Sequence, residues 1–205
     1  MNIGLLLSGG MDSICLAFWK RPDVAFTINY GQLGAEGEIQ AAGAVCRALN
    51  IKQEILTVDC GALGSGDLAG RPPDPLAPVV EWWPFRNQLL LTLAGMRGVS
   101  LGIQTLLFGS VKTDSAHADG REEFFKKMDE VVSYQEGQIR IEAPAIGLTT
   151  SELVRVSGVP VSLLGWSHSC HVADLACGNC RGCFKHNAVM KELGYGLDHS
   201  RQSDS

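Results

Sequence analysis

The sequence has no run of Lys or Arg and no basic excess. Its 17 basic residues face 22 acidic ones, leaving 205 residues with a formal net charge of −5. Generic nucleic-acid binding, which draws its affinity from cationic contacts to phosphates, is not expected. Long hydrophobic runs are missing as well. Ile3–Leu7 breaks at Ser8-Gly9-Gly10, and nothing approaches the roughly 20 apolar residues of a membrane span, so the expected location is the cytoplasm with no membrane partner. Two nucleotide-binding signatures are also absent. No Gly-Lys-Ser/Thr follows the first glycine cluster, so there is no Walker loop. Gly64-Ser65-Gly66 with Gly70 has the wrong spacing for a dinucleotide fingerprint and leads into prolines, so it reads as loop.

Against these absences stands an apolar content of 45% with 19% charged residues, which excludes disorder and suits one compact domain. Glycine is enriched, with 24 of 205 residues (about 12%) against a usual share of about 7%. Seven cysteines are too many to ignore and sit in a chain too long for a disulfide miniprotein. In a reducing compartment, clustered cysteines point to metal or catalysis.

Short apolar runs alternate with helical patterns. Ile3–Leu7, Val24–Asn29, Ile51–Val58, Gln104–Val111 and Ile139–Ala143 read as strands. Helices are expected over Asp12–Lys20, Glu36–Asn50, Arg86–Leu101 (Leu89, Leu90, Leu93 and Ala94 inward) and Arg121–Gln135 (Phe124, Phe125, Met128, Val131 and Val132 on one side). A short helix over Thr149–Ser157 is capped by Thr149 or Thr150, with Glu152 in its first turn. This alternation predicts an α/β fold, a parallel sheet with helices on both faces, whose ligands sit at the carboxyl ends of the strands. Residues 59–84, with five prolines from Pro72 to Pro84, read as a lid, a binding loop or a mobile segment. The expected organisation is an α/β domain over 1–165, a metal-binding subdomain over 166–194 and a frayed polar tail over 195–205.

Leu7-Ser8-Gly9-Gly10-Met11-Asp12-Ser13 follows the first strand and opens the first helix. Two glycines permit a sharp turn and close approach of the backbone to a ligand. The freed amides, the helix N-terminus and the Ser8 and Ser13 hydroxyls make an anion site. Near the other end, Cys170, Cys177, Cys180 and Cys183 form C-x6-C-x2-C-x2-C in a glycine-containing turn. Four thiolates suit a closed structural Zn²⁺ site. An iron–sulfur cluster fits less well, since the ferredoxin run places a fourth cysteine where Asn187 stands, and disulfides or free thiols are the remaining alternative. Cys15, Cys46 and Cys60 read as small buried hydrophobes, and His168, His171 and His186 as flanking the cluster or facing solvent.

Ser-Gly-Gly-x-Asp-Ser resembles the pyrophosphate loop of the N-type ATP pyrophosphatases, and with the C-terminal four-cysteine knot the chain resembles the 7-cyano-7-deazaguanine synthase family. Tyr30-Gly31-Gln32 matches a family tripeptide, Pro84-Phe85-Arg86-Asn87 its Pro-Gly-Arg-Asn, and Gly109 with Asp114 the ends of its Gly-x-x-x-x-Asp. Leu148-Thr149 with Glu152-Leu153-Val154-Arg155, and Trp166-Ser167 before the first cysteine, are similar to further family segments. The resemblance implies a Rossmann-like adenine nucleotide hydrolase fold. It also implies a ligase that adenylates a deazapurine carboxylate, and then its amide, with ATP and ammonia to reach a nitrile. Leu7 through Ser13 would bind ATP, with Asp12, Ser13 and Arg86 catalytic and Asp12 placed to help bind Mg²⁺. Tyr30, Gln32, Arg86, Asn87 and Asp114 would meet substrate, the four cysteines would hold Zn²⁺, and the assembly would be a homodimer. Taken alone, Arg86-Asn87 reads as a helix start and Asp114 as a loop carboxylate.

Departures from the family gather where substrate is expected. Its Arg-His is Leu33-Gly34, an Asn is Val111, the Lys of Leu-Thr-Lys is Thr150, and Ser115–Gly120 replaces a family stretch. A paralogue with another acceptor, of the kind found in antiviral defence clusters, is therefore a second expectation. Its acceptor could be a protein approached past Glu81-Trp82-Trp83-Pro84. A non-catalytic zinc-knuckle binding module is a third reading. A tRNA thiolation enzyme is a fourth, although Cys15, Cys46 and Cys60 supply no CxxC pair.

Overall fold

A computed structural model describes residues 2–195; the expected tail lies outside the described residues apart from Tyr195. Five parallel strands, β1 (Ile3–Leu6), β2 (Val24–Asn29), β3 (Lys52–Thr57), β4 (Thr105–Leu107) and β5 (Arg140–Glu142), pair in the order β3-β2-β1-β4-β5. Leu5 aligns with Ala25 on one side and Leu107 on the other, fixing β1 at the centre. The helices of the described residues are α1 (Met11–Lys20), α2 (Ala35–Leu49), α3 (Gly66–Ala69), α4 (Arg86–Ser100), α5 (Glu122–Tyr134), α6 (Thr150–Ser157), α7 (Val161–Leu164) and α8 (Arg181–Glu192). None of them is long and apolar enough to cross a membrane.

The side-chain alternation of the strands divides the core in two. Leu5, Leu7, Ala25 and Leu107 pack with Ile14, Val45, Leu153, Leu164 and Val189 from α1, α2, α6, α7 and α8. Leu6, Phe26 and Leu106 face the other way, onto Leu91 and Ala94 of α4 and Phe125 and Met128 of α5. Burial of both faces accounts for the near-continuous apolar character of the central strands. The chain steps outward from β1 through β2 to β3 and then crosses back to lay β4 on the other side of β1, so the carboxyl ends of β1 and β4 open a crevice at the switch point.

Four expectations need correction. The fourth strand ends at Leu107 rather than Val111, because the chain beyond it leads into a 3-10 turn over Lys112–Ala116, where the Val111 amide donates to Asp114 Oδ2 at 3.1 Å. In α4 Leu89, Leu90, Leu93 and Ala94 pack inward as expected, but the inward set was incomplete: the fully buried leucine is Leu91, since consecutive leucines leave the register open to sequence periodicity. Val131 of α5 is exposed, the inward stripe being centred on Phe125 and Met128. Residues 59–84 are partly packed: the one-turn helix α3 lies inside the segment read as loop, and Leu68, Glu81 and Trp83 are buried. Thr149 caps α6 with Glu152 completing a capping box, as the sequence predicts.

Candidate functional site

The turn from β1 into α1 is shaped by glycine. Gly9 has φ +80°, and a Cβ there would approach Ala41 Cβ to 2.8 Å and the Glu38 carbonyl oxygen to 2.9 Å. Gly10 occupies the N-cap position of α1 without a side-chain cap, so the first helical amides remain open to an anion. Ser13 Oγ donates to the Gly10 carbonyl at 2.9 Å, Ser8 Oγ accepts from the Gly10 amide at 3.3 Å, and the two hydroxyls lie 3.4 Å apart. The loop is therefore knit by the same serines that flank the anion site.

A cavity of about 720 Å³ opens at the carboxyl ends of β1, β2 and β4. Of the residues predicted from sequence, Leu7, Ser8, Gly10, Met11, Asp12, Ser13, Tyr30, Arg86, Asn87 and Asp114 line it. Gly9 and Gln32 do not. Gln32 has its whole amide engaged: Oε1 accepts from the Tyr30 amide at 2.9 Å, and Nε2 donates to the Ile28 carbonyl at 3.1 Å and to Glu38 Oε2 at 3.0 Å. It holds the turn after β2 and aims Glu38. Asn87 is similarly engaged, its Nδ2 donating to the Asp119 carbonyl at 2.9 Å. Tyr30 packs edge-on against Trp83 with ring centroids 4.9 Å apart, and burial holds its phenol well above the ordinary range.

Arg86 is recessed in this wall. Burial works against its charge, but Tyr30, Asp119, Glu38 and Asp114 outweigh that and keep it cationic. Glu38 responds oppositely: burial lifts its carboxyl to about 7, against the pull of Gln32 and Arg86. Asp12 is also raised, by burial and by the nearby Asp114, with Lys185 opposing. Lys185 reaches over from α8 to within 3.4 Å of Asp12 Oδ2 and 3.3 Å of Asp114 Oδ1. Asp12 Oδ1 and Thr150 Oγ1 are buried without a partner among the described residues. Such oxygens at a helix start beside an anion site suit a divalent cation carried with a polyphosphate, and Asp12 and Asp114 are the residues that would hold it.

Sequence reasoning gave no role to Glu38 or Lys185, and it named Glu81 only within the segment flanking the approach to the site. Glu81, carried on the 59–84 segment, sits 3.0 Å from Arg181 Nη1 and 3.9 Å from His117 Nε2, and all three line the cavity. Glu38 carried a signal, since it follows Tyr30-Gly31-Gln32 in the first turn of α2. Lys185 and Arg181 join the site only in three dimensions.

The Sγ atoms of Cys170, Cys177, Cys180 and Cys183 all lie within 4.8 Å of one another. The Cys177–Cys183 and Cys170–Cys180 separations are 3.9 and 4.0 Å, and all four thiols are free of disulfides. A tetrahedron with 2.3 Å metal–sulfur bonds has edges of about 3.8 Å, so the donor set fits a tetrahedral metal ion. The amides of His171 and Cys183 donate to Cys180 Sγ at 3.3 and 3.4 Å, which favours its thiolate, and the Asn179 amide lowers the Cys177 thiol while burial raises that of Cys183. Glycine lets the knot close, because a Cβ at Gly182 would collide with the Ser169 carbonyl.

The knot is fastened to the β1–α1 turn and to α2. The His168 amide donates to the Gly9 carbonyl at 2.9 Å, and the Gly37 amide donates to Asp174 Oδ1 at 3.0 Å. A Cβ at Gly34 would lie 2.8 Å from the Cys170 carbonyl oxygen, so there is no space for a side chain there. Of the remaining cysteines, Cys15 and Cys46 are core residues while Cys60 is partly exposed.

Comparison with known proteins accords with this geometry. The U34-tRNA thiolase NcsA from Methanococcus maripaludis, solved with its 4Fe-4S cluster, superposes with a TM-score of 0.53 at 16% identity, a likeness of fold. It covers 95% of this chain, which spans 64% of the thiolase. A 7-cyano-7-deazaguanine synthase 1 from Desulfitobacterium hafniense is 29% identical over 217 residues, covering 99% of this chain and 98% of its own length. A 7-cyano-7-deazaguanine synthase from a Nitratiruptor species is 32% identical over 202 residues, covering 89% and 90%. The family model described as Queuosine biosynthesis protein QueC matches residues 3–194, from β1 through the metal knot and α8, and the chain belongs to that family.

Proposed function

We propose that this protein converts 7-carboxy-7-deazaguanine to 7-cyano-7-deazaguanine with ATP and ammonia. A carboxylate resists attack by ammonia because it is anionic and would have to expel oxide. Transfer of AMP to the carboxylate, with loss of pyrophosphate, supplies a leaving group. Ammonia then displaces AMP to give the amide. Adenylation of the amide oxygen by a second ATP, followed by loss of AMP and the amide protons, yields the nitrile. The observation that carries this reading is the cavity that joins a Ser8–Ser13 phosphate loop to Arg86 and Asp114 in a chain matching the family over residues 3–194.

In this scheme the Ser8–Ser13 amides and hydroxyls receive the departing pyrophosphate, and neutralising it makes it a better leaving group. Asp12 and Asp114 would hold Mg²⁺, which when bound offsets the charge of the triphosphate. Arg86, a planar donor fork kept cationic by its surroundings, would bind substrate carboxylate or phosphate, with Tyr30 and Asn87 shaping the pocket beside it. The four cysteines would hold a structural Zn²⁺, leaving no coordination position for water.

The test is mass spectrometry of products from ATP, ammonium and 7-carboxy-7-deazaguanine, with AMP and pyrophosphate counted. The nitrile with about two AMP per product supports the reading, and ATP binding should be lost in Asp12→Ala. A second reading, an ATP-dependent ligase for a different carboxylate or amide, is favoured by one observation. Several departures from the family, at Ala116, His117, Gly120 and Thr150, line the cavity. Turnover with only another acceptor would select it.

A further inference from the structure

Among the described residues, three with fixed positive charge line the cavity, Arg86, Arg181 and Lys185. Two of them have settled surroundings: Arg86 lies among Tyr30, Asp119 and Glu38, and Arg181 pairs with Glu81 at 3.0 Å. Lys185 is placed differently. Its ammonium bridges carboxylates from two separate segments, Asp12 in the first turn of α1 at 3.4 Å and Asp114 in the turn beyond β4 at 3.3 Å. Both distances are long for charge-assisted hydrogen bonds.

The carboxylate pair has more capacity than one ammonium uses. Asp114 Oδ2 is anchored by the Val111 amide, whereas the buried Asp12 Oδ1 has only the hydroxyl of Thr150, a residue 4% exposed, turned toward it. An ammonium offers three donors at most, whereas a divalent cation gathers six or more oxygens and can take carboxylate, hydroxyl and phosphate oxygens together. The Lys185 side chain is 43% exposed toward the cavity, on a flexible four-carbon stem. Its Cα is fixed two residues beyond Cys183, at the rim of the metal knot.

We propose that Lys185 is an exchangeable cation and phosphate ligand. Its ammonium holds Asp12 and Asp114 together until a divalent cation occupies that position, and it then turns onto the phosphates of the nucleotide. The chemistry recognised is therefore a divalent cation with a polyphosphate. The inference rests on the reading of this cavity as an ATP site, but not on the identity of the acceptor.

The experiment measures Mn²⁺ binding to the nucleotide-free, metal-replete protein by electron paramagnetic resonance, and separately Mg²⁺-ATP binding by calorimetry, for wild type, Lys185→Gln and Lys185→Arg. Lys185→Gln should bind Mn²⁺ about tenfold more tightly, because its competitor is gone, and Mg²⁺-ATP about tenfold more weakly, because a phosphate partner is gone. Lys185→Arg should keep wild-type Mn²⁺ binding and recover most of the ATP affinity. The opposed signs separate this role from a structural one, in which both affinities would fall together. Unchanged or weaker Mn²⁺ binding in Lys185→Gln overturns the proposal, as does unchanged ATP binding. Opposed shifts without turnover of the deazapurine carboxylate would sustain the role of Lys185 and remove only the assigned acceptor.

Discussion

Phe85 stands with φ 56° and ψ 19°, left-handed backbone that side chains with a Cβ adopt only under strain, immediately before Arg86 and α4. Glycine would hold this conformation without strain. Phe85 is 77% exposed, so its ring recovers little packing energy. Phe85→Gly should relieve about 1–2 kcal/mol of strain, less about 0.5–1 kcal/mol of glycine backbone entropy, for a net gain of about 1 kcal/mol. Thermal unfolding should shift upward by about 2–4 °C; an unchanged or lower midpoint would show that the ring contributes packing of comparable size. Glu38 gives a second residue-scale expectation. With its folded pKa near 7 against 4.5 for an unperturbed glutamate, the folded protein holds a proton that the unfolded chain has released. Stability attributable to Glu38 therefore falls as pH rises from about 4.5 to about 7 and is level above that. Glu38→Gln should remove this slope, and the difference between denaturant midpoints at pH 5 and pH 8 in the two proteins measures it.

Among elements, the strands and long helices were legible because burial on both sheet faces writes apolar runs and 3.6-residue stripes into the sequence. The glycine turn from β1 into α1 and the clustering of the four thiols were legible because each is a local pattern set by close spacing. Glu81, Arg181 and Lys185 were not, since their roles arise from segments some 70 to 170 residues apart meeting at one crevice. Gln32 shows the converse: it stands in a recognisable motif, yet its amide is fully engaged in building the turn. The knot also yields a prediction. Cys180 is both a candidate ligand and the N-cap of α8, while the far end of that helix is anchored in the core by Val189. Cys180→Ala should lose bound metal and leave α8 seated at its C-terminal half. Hydrogen exchange should accelerate over residues 168–184 but not over 188–193, and ATP affinity should fall because the His168–Gly9 bond and the base of Lys185 lose their support. Metal analysis checks the first outcome and exchange mass spectrometry the second. Uniform acceleration through 193 would mean that the knot, rather than Val189, seats the helix.

At the scale of the whole molecule, the cavity at the strand ends is walled by the 59–84 segment and the cysteine knot together with α4, the turn beyond β4 and the ends of α6 and α8. The segment and the knot meet through Glu81, which is 8% exposed, and Arg181, whose side chain is 52% exposed. The carboxylate is thus the desolvated partner, and removing its cation leaves a buried negative charge facing His117. Arg181→Met should therefore loosen the 59–84 segment while the core beneath α1 and α4, which contains neither residue, remains intact. Limited proteolysis should cut within 59–84 several times faster, with little change in the global unfolding midpoint. Adding Glu81→Gln removes the orphaned charge and should restore part of the protection, giving a coupling of about 1 kcal/mol for a pair with one exposed member. The kinetic counterpart is a higher KM for the acceptor with a smaller change in kcat, because the segment walls the cavity without carrying a residue of the phosphate loop. Equal loss in kcat and kcat/KM would place Glu81 and Arg181 at the reacting atoms instead.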